Sequence, residues 1–427
     1  MIKNYFKYLL AIPALALVTA CNTFDEIADA EDIAPIGVKV DLEVAIEDLA
    51  TVEKLTMKFD NYEDDLHYVK EVTGNSIEID SIVPGIYTVS VSGLATGISG
   101  TEYMVNGSLV NKALFTEGQQ LNLSVKGLKV SPLIFKEIYY SCIKTPKGGS
   151  YLWDQFYEIY NNSASTIYLD GLYFADLYPS GATTTLPVWP DAENYVYGIH
   201  VWRVPGSGTD YPLQPGESCI FASAAINHQL EAWNPNSPID ATSAEFEFFT
   251  ENIKLPNAEA TNMEHIFYKG KKDVGGTTYQ YLTAVKGGAF AIFQVPEGEE
   301  WDPVGDKSMK SIDLSKPSST TYYAMIPNRY ILDAVECVDN EAKVSAKRIP
   351  GVLDAGCTWV DNSYNGLGVY RKQSLDESGN PIQRENGAYI YQDTNNSTDD
   401  FERKVTPMFR RFGAKMPSWN HTLRQEE

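Results

Sequence analysis

Histidine, cysteine and basic residues are scarce in this 427-residue chain. Each scarcity closes off some chemistry. Lys and Arg number 34 against 57 Asp and Glu, which leaves a formal charge of −23. Nucleic-acid phosphates are held by basic surfaces, so nucleic acid is excluded as a partner. The five histidines, His67, His200, His228, His265 and His421, stand apart in sequence with no metal-ligand spacing, so no metal centre is expected. No G-x-S-x-G elbow, H-E-x-x-H pair or phosphate-binding Gly-rich loop occurs. Carboxylates abound, but no spacing selects a pair for acid–base work. The expectation is a noncatalytic protein without a cofactor.

Long apolar runs are missing as well. Leu9–Val18 is apolar but shorter than the ~20 residues of a membrane span. Lys3 and Lys7 precede it, and a small-residue stretch ends it, which is the layout of an export signal over residues 1–20. Val18-Thr19-Ala20-Cys21 resembles a bacterial lipobox, which implies cleavage before Cys21, its lipidation, and attachment to outer-membrane lipid through that residue alone. Residues 21–32 carry Asp25, Glu26, Asp29, Glu31 and Asp32 with no base, the composition of a solvated tether. This tether also resembles the acidic signal that sends lipoproteins of Bacteroidota to the cell surface, with a periplasm-facing anchor as the alternative. Export permits disulfides. Cys142, Cys219, Cys337 and Cys357 allow three pairings, with Cys337 and Cys357 nearest in sequence; buried free thiols are the other reading.

What the chain has in quantity is β-forming sequence, and the fold class is all-β. A hydrophobic content of 43% is enough for sizeable cores. Residues 33–130 read as one small domain. VKVDLEVAIE alternates, with Val38, Val40, Leu42 and Val44 on one face. Pro84-Gly85 marks a turn before Tyr87, Val89 and Val91. IEIDSIVPGIYTVSVSG resembles carboxypeptidase-regulatory-like and related Ig-type modules, a β-sandwich that serves most often as a spacer. Asp80-Ser81-Ile82 resembles an O-glycosylation acceptor of surface proteins.

Residues 131–412 form the second expected domain. FYEIYNNSASTIYLDGLYFAD (Phe156–Asp176) reads as a hairpin, Phe156–Tyr160 and Thr166–Phe174, with Gly171 as a bulge. Tyr157 and Ile159 share one face of its first strand. This segment resembles the opening of a lamin-tail-like domain, an Ig-like sandwich. Tyr211–Ser223, Met325–Val338 and Tyr391–Glu402 resemble later pieces of that family in order. A minimal Ig sandwich needs only ~100 residues, so the second domain is enlarged by long loop insertions.

Those insertions carry Trp189, Trp202 and Trp233, the candidate ligand or partner contacts, since loops on a rigid scaffold often bear function. Core packing is the alternative for each. Asn227–Trp233 is expected to form a helical turn or two. Asp393-x-Asn395-x-Ser397-x-Asp399 has the oxygen spacing of a calcium loop, but Thr398 and Lys404 replace its Gly and Glu, which favours turn capping. The C-terminal tail, residues 413–427, continues a basic stretch in which Arg410 and Arg411 are candidate docking residues. A strap packed on the acidic body is the equal alternative.

The arrangement as a whole resembles an uncharacterised surface-lipoprotein family of Bacteroidota. That resemblance implies ligand capture, or an accessory role, beside a TonB-dependent β-barrel transporter of the outer membrane. An adhesin or structural surface protein is the first alternative. A hydrolase with an unrecognised carboxylate pair is the second.

Overall fold

The computed structural model describes residues 33–423 except 46–48, 99–101, 130, 184, 251–254, 273–280 and 377. The expected export signal, Cys21, the acidic tether and Arg424 lie outside the described residues. The described chain is nearly all β, as its composition predicts.

The first seven strands are β1 (Ile36–Ala45), β2 (Leu49–Asn61), β3 (Leu66–Val72), β4 (Ser76–Ile82), β5 (Gly85–Gly97), β6 (Glu102–Leu114) and β7 (Gln119–Lys129). They form one sheet in the order β3-β2-β5-β6-β7-β1-β4. β1 runs parallel to β7, pairing Val40 with Leu121 and Leu42 with Leu123. The alternation in the sequence decides which side is covered: Val38, Val40, Leu42, Tyr87, Val89 and Val91 are all buried, and Val44 packs against their cluster. Gly107 in β6 is required by its neighbour, because a Cβ there would meet Ser124 O of β7 at 2.4 Å.

The rest of the chain builds two further main sheets, of seven and eight strands. One contains β8 (Leu133–Tyr139), β9 (Phe156–Asn161), β14 (Ser218–Ala222), β15 (Phe246–Glu247), β16 (Thr261–Asn262), β23 (Gly368–Arg371) and β24 (Phe401–Val405), in the order β16-β15-β14-β9-β8-β23-β24. The other contains β11 (Tyr173–Leu177), β12 (Tyr195–Arg203), β17 (Glu264–Tyr268), β18 (Ala289–Phe293), β19 (Lys310–Ser311), β20 (Tyr323–Pro327), β21 (Ile331–Val338) and β22 (Thr358–Trp359). Its order is β19-β20-β12-β11-β18-β21-β22, with β17 also paired to β12. β10 (Ile167–Tyr168) and β13 (Pro212–Leu213) form a separate two-stranded ladder. Phe135, Tyr157, Ile159 and Phe221 of the first sheet and Phe174, Trp202, Phe290 and Val335 of the second share one buried cluster, so the two sheets enclose a common core.

The expected hairpin is not formed. β9 pairs with β8 and β14, and β11 with β12 and β18, so the two runs lie in different sheets. Gly171 is a turn residue at φ +73°, not a bulge. Asp170 fixes that turn by accepting the N–H groups of Gly208, Asp210 and Tyr211, each at 3.0 Å. Those bonds stop the second run from continuing as one strand and send it across the core. The predicted face holds nevertheless: Tyr157 and Ile159 enter the shared core while Phe156 and Tyr160 join other clusters. Asn227–Trp233 is a series of turns and not a helix. The His228 carbonyl accepts from Asn234 N at 3.0 Å, and Asn227 Nδ2 donates to Asp240 at 2.8 Å, which closes the segment on itself.

The first sheet meets the second part through contacts that include Asn111 Nδ2 donating to Ser345 O at 3.1 Å, Lys58–Asp399 and Lys126–Glu193 ion pairs, and the edge-to-face rings of Tyr62 and Trp359.

Candidate functional site

Successive side chains of a strand face opposite ways, so β12 presents Tyr195 and Tyr197 to one side and Val196 to the other. On the tyrosine side, Trp189 lies flat on Tyr197, with centroids 4.0 Å apart and planes within 5°. Tyr178 and Tyr323 stand beside them, 4.2 Å apart, and both rings meet Trp189 edge-on. The loop carrying Trp189 is pinned at both ends. Val188 N donates to Asp313 Oδ1 at 3.1 Å, and the Tyr197 hydroxyl donates to Asp191 O at 3.0 Å. Burial pushes the Tyr197 phenol up to about 12, so it remains a neutral donor.

A cavity of about 390 Å³ opens here, between Trp189, the start of β12, β6 of the first sheet and residues 345–351. Its size lies within the ~300–1,000 Å³ of small-molecule sites. Arg348 is a charged group on its wall, and its donors are committed. Nε bonds Glu336 Oε1 at 2.5 Å, while Nη1 and Nη2 donate to the carbonyls of Pro179 and Cys337, both at 2.8 Å. Lys347 also lines the cavity and donates to Gly356 O at 2.8 Å, so the wall is mainly aromatic and apolar with its two cations bonded within the protein, suited to an uncharged ring or other flat group.

The structure separates the other candidate residues. Trp202 is fully buried among Phe248, His265 and Tyr281 and belongs to the shared core, because it points inward near the end of β12. Trp233 is half-buried against Ala224, Ile226 and Leu255 together with Trp153, and does not line the cavity. Of the three tryptophans, only Trp189 reaches it.

Arg410 and Arg411 are corrected from docking residues to internal partners. Arg410 pairs with Glu245, and Arg411 bonds both oxygens of Glu137 at 3.0 and 3.2 Å. Both glutamates are buried, so each needs a cation close by. Burial still pushes Glu137 up to about 7, against the opposing pull of Arg411. The basic stretch is therefore the strap of the alternative reading, laid over carboxylates of its own sheet.

The calcium-like loop is capped as expected. Arg371, fully buried, donates to Asp393 at 2.9 Å and to Asp333 at 2.6 Å, and lies 3.3 Å from Asp400. Cys142, Cys219, Cys337 and Cys357 are free and buried, which decides between the two thiol readings. The histidines are not all isolated: His200 and His265 meet with their Nε2 atoms 3.0 Å apart. Sequence spacing could not show this, because the contact is made by the pairing of β12 with β17. Among the described residues no group of three or more His, Cys, Asp or Glu converges as a metal site.

Residues 214–408 match the model of a family described as protein of unknown function, DUF4876. The crystal structure of a DUF4876 family protein from Bacteroides thetaiotaomicron VPI-5482 is similar at 62% identity. The match covers 91% of this chain and all of that one, with a TM-score of 0.69. The chain belongs to the DUF4876 family. Among curated proteins, none matches this DUF4876 chain.

Proposed function

We propose that this DUF4876 protein is a noncatalytic surface lipoprotein, anchored in the outer membrane through Cys21, that captures an uncharged ligand in the Trp189 cavity. In this reading it serves beside a TonB-dependent transporter. The two parts, residues 33–130 and 131–412, act as Ig-like sandwiches, the first a spacer and the second the ligand-bearing body. The observation that carries the reading is the aromatic cavity of about 390 Å³, with Trp189 stacked in its wall and its arginine already paired. Large aromatic side chains desolvate flat apolar groups well and often dominate binding. The short apolar leader, the lipobox-like stretch and the acidic tether supply the anchor and surface parts of the proposal.

The test is a thermal-shift screen of the purified protein against uncharged sugars and aromatic small molecules, followed by calorimetry on the hits. A ligand should raise the parent's midpoint and leave Trp189→Ala unmoved, while that variant keeps the parent's ligand-free midpoint within a few degrees. Trp202→Ala should lose about 3–5 kcal/mol of stability whether or not ligand is present. Equal binding by Trp189→Ala and parent would remove the cavity from the function. The anchor is tested apart from the cavity. Cys21→Ala should leave the outer-membrane fraction; retention there with normal processing sinks the lipoprotein assignment.

A further inference from the structure

β17 is joined to β12 through a bulge: Val201 faces Phe267, but the next residue, Trp202, faces His265 and Ile266 is skipped. Bulges re-aim side chains. This one turns His265 onto the face that carries His200 and Trp202, with its ring 4.7 Å from that of Trp202. The two imidazoles stand nearly perpendicular, at 88°, with centroids 4.9 Å apart and Nε2 atoms 3.0 Å apart. His265 Nδ1 lies 2.6 Å from the Lys272 carbonyl. A carbonyl only accepts, so Nδ1 carries the proton and Nε2 presents its lone pair toward His200. Metal-ligating histidines are held in this way, with the far nitrogen donating to a backbone carbonyl. Two metal–nitrogen bonds of about 2.0–2.1 Å, at angles between square and tetrahedral, set their nitrogens about 2.9–3.4 Å apart. The observed separation lies in that span.

We propose that His200 and His265 form a binding site for a divalent transition ion that favours imidazole, zinc or copper. Among the described residues the pair supplies two protein nitrogens, and the remaining coordination positions belong to water or to an incoming ligand. In the metal-free protein the pair is held by a hydrogen bond, His200 Nε2–H donating to the His265 lone pair. Loading requires His200 to shift its proton from Nε2 to Nδ1, a change of tautomer with no net proton lost. Asp176 lies opposite His200 in the next strand, and burial pushes its carboxyl up to about 7. The site lies on the same strand as Tyr197 but is built from different side chains, so it stands or falls independently of the Trp189 cavity.

Calorimetric titration of the chelator-treated full chain with zinc chloride tests this directly. One equivalent should bind the parent. His265→Ala, altered at the partly exposed member of the pair, should bind at least tenfold more weakly with its metal-free thermal midpoint retained. His421→Ala, altered in the tail, should bind as the parent does. No saturable binding by the parent, or equal binding by His265→Ala, overturns the site. If His265→Ala does not fold, imidazole nitrogen NMR of the parent gives the answer instead. Equimolar zinc should move the Nε2 resonances of both rings, and an unmoved His200 Nε2–H signal means that the hydrogen bond is the pair's whole role.

Discussion

Asp154 shows how burial sets the behaviour of one side chain. Its carboxyl is almost fully buried, with the Ser237 hydroxyl donating to Oδ2 at 2.6 Å. Burial pushes it up to about 6, against the Ser237 bond, which pulls the other way. An ordinary aspartate in the unfolded chain titrates near ~4, so the folded state holds a proton more tightly. Stability from this group is therefore greatest below about pH 4 and falls as pH rises through about 6. Asp154→Asn removes that dependence. The variant should gain up to about 3 kcal/mol over the parent at pH 8, and the gain should shrink toward pH 4. Urea melts at several pH values read the difference; a constant offset would mean that Asp154 is ionised throughout. Burial of this kind was not legible in the sequence, where Asp154 is one acid among many. The same limit explains the tryptophans. Trp189, Trp202 and Trp233 look equivalent as loop aromatics, but Trp202 falls inside β12 and points into the core. Only the register of that strand tells it from Trp189.

At the level of elements, alternation was readable and pairing was not. Val38, Val40 and Leu42, or Tyr157 and Ile159, declare their faces because a strand repeats every two residues. Which strand lies beside which is set by contacts far apart in sequence, so Phe156–Tyr160 and Thr166–Phe174 read as a hairpin, while in the fold Asp170 holds three N–H groups of residues 208–211 and the runs part into different sheets. The basic strap is a second case. Its charge was plain, but its target required the buried Glu137 and Glu158 of β8 and β9. Arg411 bonds Glu137, and Arg410 N donates to Glu158 at 3.2 Å. Removing one member of a buried pair typically costs about 3–5 kcal/mol, because the other charge is left uncompensated. Arg411 is partly exposed, so Arg411→Ala should cost about 2–4 kcal/mol, at the low side of that range. Arg411→Ala with Glu137→Gln should recover part of the loss. Denaturant midpoints of the two variants decide it. A change within about 0.5 kcal/mol for Arg411→Ala, the usual size for a surface site, would return the residue to the solvent-facing role read from the sequence.

Across the whole molecule, the first sheet carries its own core. Every member of the cluster formed by Val40, Phe59, Tyr87, Val91, Leu123 and their neighbours comes from the first seven strands. The contacts to the second part include a hydrogen bond from Asn111, the Lys58–Asp399 and Lys126–Glu193 ion pairs, the Tyr62 ring against Trp359 and the close approach of Gly351 to Ser108. A unit with a closed core and a mainly polar junction folds without its neighbour. Residues 33–130 expressed alone should therefore unfold in one cooperative transition. The Trp189 cavity requires both parts, since Ser108, Val110 and Asn111 of the first sheet complete a wall begun by Tyr195 and Tyr197. Residues 131–423 alone should accordingly keep their fold but bind a cavity ligand more weakly than the full chain does. Circular dichroism melts of the two fragments and a titration of the larger one separate these claims. A first fragment that melts without cooperativity shows that the junction, and not the core of the first sheet, holds that part together. Undiminished binding by the second fragment would place the ligand outside the junction, with Trp189 and Tyr197 sufficient by themselves.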